Sequence, residues 1–153
     1  MSYLAKLHEL GYDLQPINMD TGRFMHAVRT GNLIYTSGQV PRWGDQEIKG
    51  KIGQELSVEE GYQAARLCAV NCLQAVHTLT GSIDNVVRIV KVLGMVNSAP
   101  GFNRQPEVIN GFSEVILDLF GPGIGRHARS AVGMAALPFD IAVEIEAEVE
   151  IAS

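Results

Sequence analysis

The sequence contains no long apolar run. Nothing in it approaches the ~18–20 consecutive apolar residues that a membrane-spanning helix needs. The opening stretch MSYLAKLHELGYDL carries acidic residues and lacks the apolar segment of a secretory leader, so a cytoplasmic protein is the default expectation. Basic residues are in deficit: 12 Lys and Arg stand against 17 Asp and Glu, for a net charge of −5. No Lys/Arg cluster stands out, so no broad attraction to nucleic acid or to an anionic membrane is expected. Cysteine is scarce. Cys68 and Cys72 share one helical face, where a disulfide is geometrically poor. A metal site there lacks further ligands beyond a nearby His77, so both read as small core residues. His8, His26, His77 and His127 are scattered without metal-ligand spacing. No Ser/His/Asp set can be assembled. Repeats, low-complexity tracts and interdomain linkers are also missing.

What is present is an ordinary globular composition, 46% apolar and 19% charged over 153 residues, which fits one domain with one core. Ser2 to Leu10 places Leu4, Leu7 and Leu10 at helical spacing, with Gly11 as a stop. Residues 24–29 and 32–36 read as strands joined by a tight turn at Gly31-Asn32. Residues 42–56, with Gly44, Gly50 and Gly53, read as a surface loop in which Trp43 is a packing anchor. Ser57-Val-Glu-Glu60 is a capping box. It opens a helix with Ala65, Ala69, Cys72, Val76 and Leu79 as its apolar stripe and Gly81 as its natural end.

Residues 85–96 are apolar at almost every position, the pattern of a strand buried on both faces. Two long helices can cover one face of the sheet. Little chain is left for the other, which argues for a second subunit. A second helix spans 105–119, followed by a Gly-rich connection at 120–125. Residues 128–137 and 141–151 read as two strands joined through Leu137-Pro138-Phe139-Asp140, with Pro138 suited to a type I turn. The order β-β, helix, β, helix, β-β predicts an α+β protein with helices on one face of a mixed sheet.

Two residues stand out chemically. Arginine on a strand is commonly a solvated or structural residue. Arg129, however, follows a Gly-rich loop and shares its strand face with Ala131, Gly133 and Ala135. Small neighbours leave room beneath a guanidinium, whose planar fork suits a carboxylate or phosphate. Glu144 depends on register. A two-residue loop at Pro138-Phe139 sets it opposite Gly133, on the Arg129 face and roughly 13 Å along at ~3.3 Å per residue. A three-residue loop moves it to the other face. In either case Glu144, Glu146, Glu148 and Glu150 form a carboxylate row that could simply be solvated. His127 reads as a surface residue near Arg129.

Gly31-Asn32-Leu-Ile-Tyr-Thr-Ser37-Gly38-Gln39-Val-Pro41 resembles the early signature of the Rid/YjgF family. Ala128-Arg129-Ser130-Ala131-Val132, Leu137-Pro138 and Val143-Glu144-Ile145-Glu146-Ala147 resemble its C-terminal signature. The resemblance covers about residues 22–151, with residues 1–20 as an N-terminal extension of one domain. It implies a chorismate-mutase-like fold and a homotrimer built as a central barrel with ligand clefts between subunits. It also implies hydrolysis of 2-imino acids to 2-keto acids and ammonia, with no metal or organic cofactor. By the same resemblance, Arg129 binds the substrate carboxylate and Glu144 positions the attacking water. Ser37, Gly38 and Asn110 line the cleft. Phe24 stands where active members have tyrosine, and Ala131 where they have cysteine. A non-catalytic trimer binding a small carboxylate is the competing reading. An endoribonuclease, an activity attached to the family name, fits an acidic chain least.

Overall fold

The computed structural model describes residues 1–153. Helix α1, Tyr3–Glu9, is capped by the Ser2 side chain and leads into an extension that runs along the next helix. Strands β1 (Ala27–Thr30) and β2 (Leu33–Thr36) form the first hairpin, with Ala27 opposite Thr36. The segment expected to be a plain loop carries a small hairpin, β3 (Arg42–Trp43) and β4 (Gln46–Glu47). It also inserts a fully buried Ile52, so it is partly core. Trp43 anchors it, packing on the core and edge-on to Tyr12 at 5.8 Å.

Helix α2, Val58–Thr80, has the full capping box of Ser57 and Glu60 and ends on Gly81 with φ 89°. Its inner face buries Ala64, Ala65, Cys68, Ala69, Cys72, Leu73 and Val76. Strand β5 (Val86–Asn97) follows, then α3 (Gln105–Gly125), which runs beyond its expected end. Gly121, at φ 75°, breaks the helix. Pro122 then begins a further turn, a place where its missing N–H costs nothing. α2 and α3 cross so closely that a Cβ on Gly111 would sit 2.1 Å from the Tyr62 carbonyl oxygen.

β6 (Ala128–Met134) and β7 (Val143–Ile151) complete a five-stranded sheet in the order β1-β2-β7-β5-β6. β6 and β7 are therefore not a hairpin, because β5 lies between them. β5 and β6 run parallel, with Val92 beside Arg129 and Val96 beside Gly133. β5 and β7 run antiparallel, with Val92 opposite Ala147 and Met95 opposite Glu144. The reason lies in β5 itself. This largely apolar strand takes an interior place between β7 and β6, and a parallel neighbour is reached through the α3 crossover rather than a turn. Residues 135–142 consequently pass over the end of β5. Pro138 heads a short 3₁₀ turn instead of a type I turn, with Phe139 and Asp140 at φ 56° and 60°.

The buried Asn97 fixes this crossing. Its amide nitrogen donates to the Ile141 carbonyl (3.1 Å), the Asp140 carboxylate (3.0 Å) and the Gly50 carbonyl (3.3 Å). Its carbonyl accepts from Lys51 Nζ at 2.8 Å.

Both long helices lie on one face. Val143, Ile145, Ala147, Val149 and Ile151 are buried beneath them, while Glu144, Glu146, Glu148 and Glu150 alternate onto the other face. The open face also shows Val28, Tyr35 and Val132 exposed and Leu93 and Met95 half-buried. β5 is thus covered on one side only within the chain, not on both. Cys68 and Cys72 are buried thiols bonded to the carbonyls of Val143 and Ile145. Burial pushes the Cys72 thiol up to about 12.

Candidate functional site

The residues singled out in the sequence fall into two clusters. The first is built on β6 and α3. Asn110 and Ser113 stand three residues apart on α3, one face of a helix, and that face meets β6. Arg129 donates to Asn110 Oδ1 at 2.9 Å and to Ser113 Oγ at 3.1 Å. Ser113 Oγ lies 2.9 Å from His127 Nε2, and His127 Nδ1 lies 2.7 Å from the Gly125 carbonyl. A carbonyl only accepts, so Nδ1 carries the proton and Nε2 accepts from the serine hydroxyl. The chain of donors is then complete: guanidinium to serine, serine to imidazole, imidazole to backbone.

Burial pushes the His127 imidazole below its ordinary value, and the Arg129 and Arg88 guanidiniums add to this while the Gly125 hydrogen bond opposes it. His127 is therefore a half-buried neutral partner, not the surface residue expected. Ser113 was missed. The available signal was its helical spacing from Asn110.

The room expected beneath the guanidinium is partly filled. Ala131 packs on the core. A Cβ on Gly133 would lie 2.8 Å from Gln105 Nε2 and 2.9 Å from Ser98 Oγ. The small residues admit the start of α3 and its preceding loop. The open space lies to the side of Arg129, in a cleft of about 500 Å³ bordered by Ser113, Leu117, Arg126 and His127.

The second cluster surrounds Glu144. Its carboxylate rests against Gly38 so closely that a Cβ there would lie 2.2 Å from Glu144 Oε2. Only glycine leaves that space. Backbone hydrogen bonds between Gln39 and Ile145, at 2.8 and 3.2 Å, hold the two segments together. Ser37 Oγ donates to the Met25 carbonyl at 2.6 Å, which ties the turn bearing Phe24 to the same place. Phe24 is 57% exposed and edge-on to His26 at 6.2 Å. Burial first, then the neighbouring Glu146, raises the Glu144 carboxyl above its ordinary value.

The two clusters do not meet within one chain. Arg129 pairs with Val92 and Glu144 with Met95. At ~4.8 Å per strand and ~3.3 Å per residue, their backbones stand roughly 14 Å apart. Val92 and Ala147, level with Arg129, are buried under the helices. Glu144 points to the helix-free face. Neither hairpin register considered from the sequence applies, because β5 separates β6 from β7 and Glu144 pairs with Met95 on the face opposite Arg129.

Fold and site together define a two-layer α+β protein with an arginine at a sheet edge, held by Asn110 and Ser113. A family profile described as Endoribonuclease L-PSP matches residues 17–151. The chain belongs to this family, the Rid/YjgF family. It is 41% identical to Protein TCP17 of Trypanosoma cruzi, over 96% of this chain and 92% of that protein. It also matches the crystal structure of Atu1372, a protein of unknown function from Agrobacterium tumefaciens, with a TM-score of 0.87 and 41% identity, covering 97% and 91% of the two chains. TdcF of E. coli, crystallised with bound serine, shares the fold at 22% identity and a TM-score of 0.62, covering 92% and 97%.

Proposed function

We propose that this protein hydrolyses reactive 2-imino acids to 2-keto acids and ammonia in a cleft between subunits of a homotrimer. The observation that carries this reading is the fixed Arg129 fork, oriented by Asn110 and Ser113 and facing an open cleft. A guanidinium held in this way takes a carboxylate through two parallel charge-assisted hydrogen bonds. Serine bound to TdcF is a small carboxylate of the same kind. Support for an intersubunit cleft comes from the separation of Arg129 and Glu144 and from the uncovered apolar positions of the helix-free face. Arg129 of one subunit and Glu144 of another would form one site.

In the reaction, Arg129 binds the substrate carboxylate and so places the imine carbon. Glu144 accepts a proton from water as the water oxygen bonds to that carbon, and the C=N π pair moves onto nitrogen. Return of protons to nitrogen lets the C–N bond break. Ammonia leaves, the C=O bond forms, and one water is consumed. The raised Glu144 carboxyl suits this role, because a stronger base is a better proton acceptor.

A second reading has its own support. Phe24 and Ala131 lack the hydroxyl and thiol that the family resemblance implies, so the cleft could bind a carboxylate without turning it over. RNA cleavage has least support, since the helix-free face carries four carboxylates, Glu144 to Glu150.

The test is keto-acid release from freshly generated 2-iminobutyrate. Wild type is expected to accelerate release and Arg129→Ala to lose at least about 100-fold, the scale of positioning effects. No acceleration by an intact trimer that still binds 2-oxobutyrate favours the second reading.

A further inference from the structure

We infer that the preferred ligand carries two carboxylates, and that Arg126 holds the second one. This inference rests on the reading above and names the substrate class of the same cleft.

The cleft beside Arg129 is bordered by two guanidinium groups, Arg126 and Arg129, one neutral imidazole, one hydroxyl and Leu117. No carboxylate borders it. Neither arginine forms an ion pair within the chain, whose ion pairs involve His8, Lys49 and Arg104 instead. In a protein of net charge −5, two uncompensated guanidiniums on one cleft are not a by-product of surplus basic residues. They are a place where negative charge is favoured.

The backbone around Arg126 is held while its side chain is left free. Its N–H donates to the Pro122 carbonyl at 3.3 Å. Arg88 donates to the Gly123 and Arg126 carbonyls, each at 2.8 Å. Arg88 therefore braces the loop, and Arg126 keeps its full set of donors for a ligand. His127 offers no charge, because its ring is engaged at both nitrogens in the neutral form.

Leu117 supplies the only apolar wall. A ligand in the cleft thus meets two guanidiniums and one hydrocarbon surface. The matching chemistry is a 2-imino acid with a short methylene chain ending in a second carboxylate, such as 2-iminosuccinate or 2-iminoglutarate. A phenyl or long alkyl side chain would leave Arg126 facing apolar surface and is disfavoured.

The experiment uses the native oligomer. Keto-acid release is measured from 2-iminoglutarate and from 2-iminobutyrate, and binding of 2-oxoglutarate and 2-oxobutyrate is measured by calorimetry. Wild type, Arg126→Ala, Arg126→Lys and Arg129→Ala are compared, with oligomer size checked for each. Wild type is expected to prefer the dicarboxylates by about tenfold, the scale of one added charge-assisted contact. Arg126→Ala should lose that preference with the monocarboxylates changed less than about twofold, and Arg126→Lys should restore part of it. Equal handling of the two classes by wild type overturns the inference. So does an Arg126→Ala variant that keeps the preference, weakens both classes equally or dissociates the oligomer. Arg129→Ala separates the two levels. If it leaves binding and turnover of both classes intact, the carboxylate-site reading itself fails. If only the Arg126 result fails, that reading stands.

Discussion

At the scale of single residues, Ser113 has the most consequential unpredicted contact. It accepts from Arg129 and donates to His127, so removing its hydroxyl frees the guanidinium on one side and leaves an imidazole nitrogen without a donor. Ser113→Ala is expected to raise KM for a carboxylate substrate about fivefold, with kcat little changed, because the lost term is orientation of a binding group. Steady-state kinetics against 2-iminobutyrate checks this, and an unchanged KM removes Ser113 from the machinery. In the proposed reaction Glu144 would set the pH response. Burial and Glu146 raise its carboxyl, so activity should rise with pH through a midpoint above that of an unperturbed glutamate. Glu146→Gln removes one of the two causes and should move that midpoint to lower pH. The folded state also binds this proton more tightly than the unfolded chain. Glu144 thus contributes stability that is fully present below its unfolded pKa and lost as pH rises through the folded one. Glu144→Gln is therefore expected to lower kcat at least about 100-fold while raising Tm at pH 8. A rate loss accompanied by a fall in Tm would mean that the carboxylate serves structure instead.

At the scale of elements, what could be read from the sequence was what is decided locally. The capping box at Ser57 and Glu60, the left-handed stop at Gly81 and the alternation of β7 are each settled by residues within a few positions. Strand order is not local. Val86 to Asn97 announces a buried strand, but nothing near residues 135–142 says that this strand will lie between β6 and β7. The small residues beside Arg129 misled for a similar reason. Gly133 is small because Ser98 and Gln105 approach it from a loop and helix distant in sequence. The β6-to-β7 crossing hangs on Asn97, whose amide holds three acceptors and whose carbonyl receives Lys51. Asn97→Ala leaves the buried Gly50 and Ile141 carbonyls without this donor, while Lys51 keeps the Ala135 carbonyl, and is expected to cost about 2–4 kcal/mol. Urea unfolding measures it. A loss under ~1 kcal/mol would show that water replaces the amide and that Asn97 does not hold the crossing.

At the scale of the whole molecule, Arg129 and Glu144 are the two residues that the sequence singles out, and the strand order keeps them apart within one chain. They stand on opposite faces of one sheet, two strands apart. If one reaction needs both, it must draw them from two copies of the protein, and a closed ring lets every copy give one half and receive the other. This makes a quantitative demand on mixed oligomers. Arg129→Ala and Glu144→Gln subunits, each inactive alone, are unfolded together and refolded at equal amounts. A site then has an intact arginine in half the cases and, independently, an intact glutamate from its neighbour in half. Activity should return to about a quarter of wild type. Were both residues supplied by one subunit, every subunit would carry one defect and no mixture would recover. Size measurement of the refolded mixture guards against failed assembly, and Val132→Asp supplies the complementary control. A charge at that exposed apolar position of the helix-free face is expected to yield a helical monomer with neither half-site completed. An active Val132→Asp monomer would place the whole reaction within one chain and exclude the shared site.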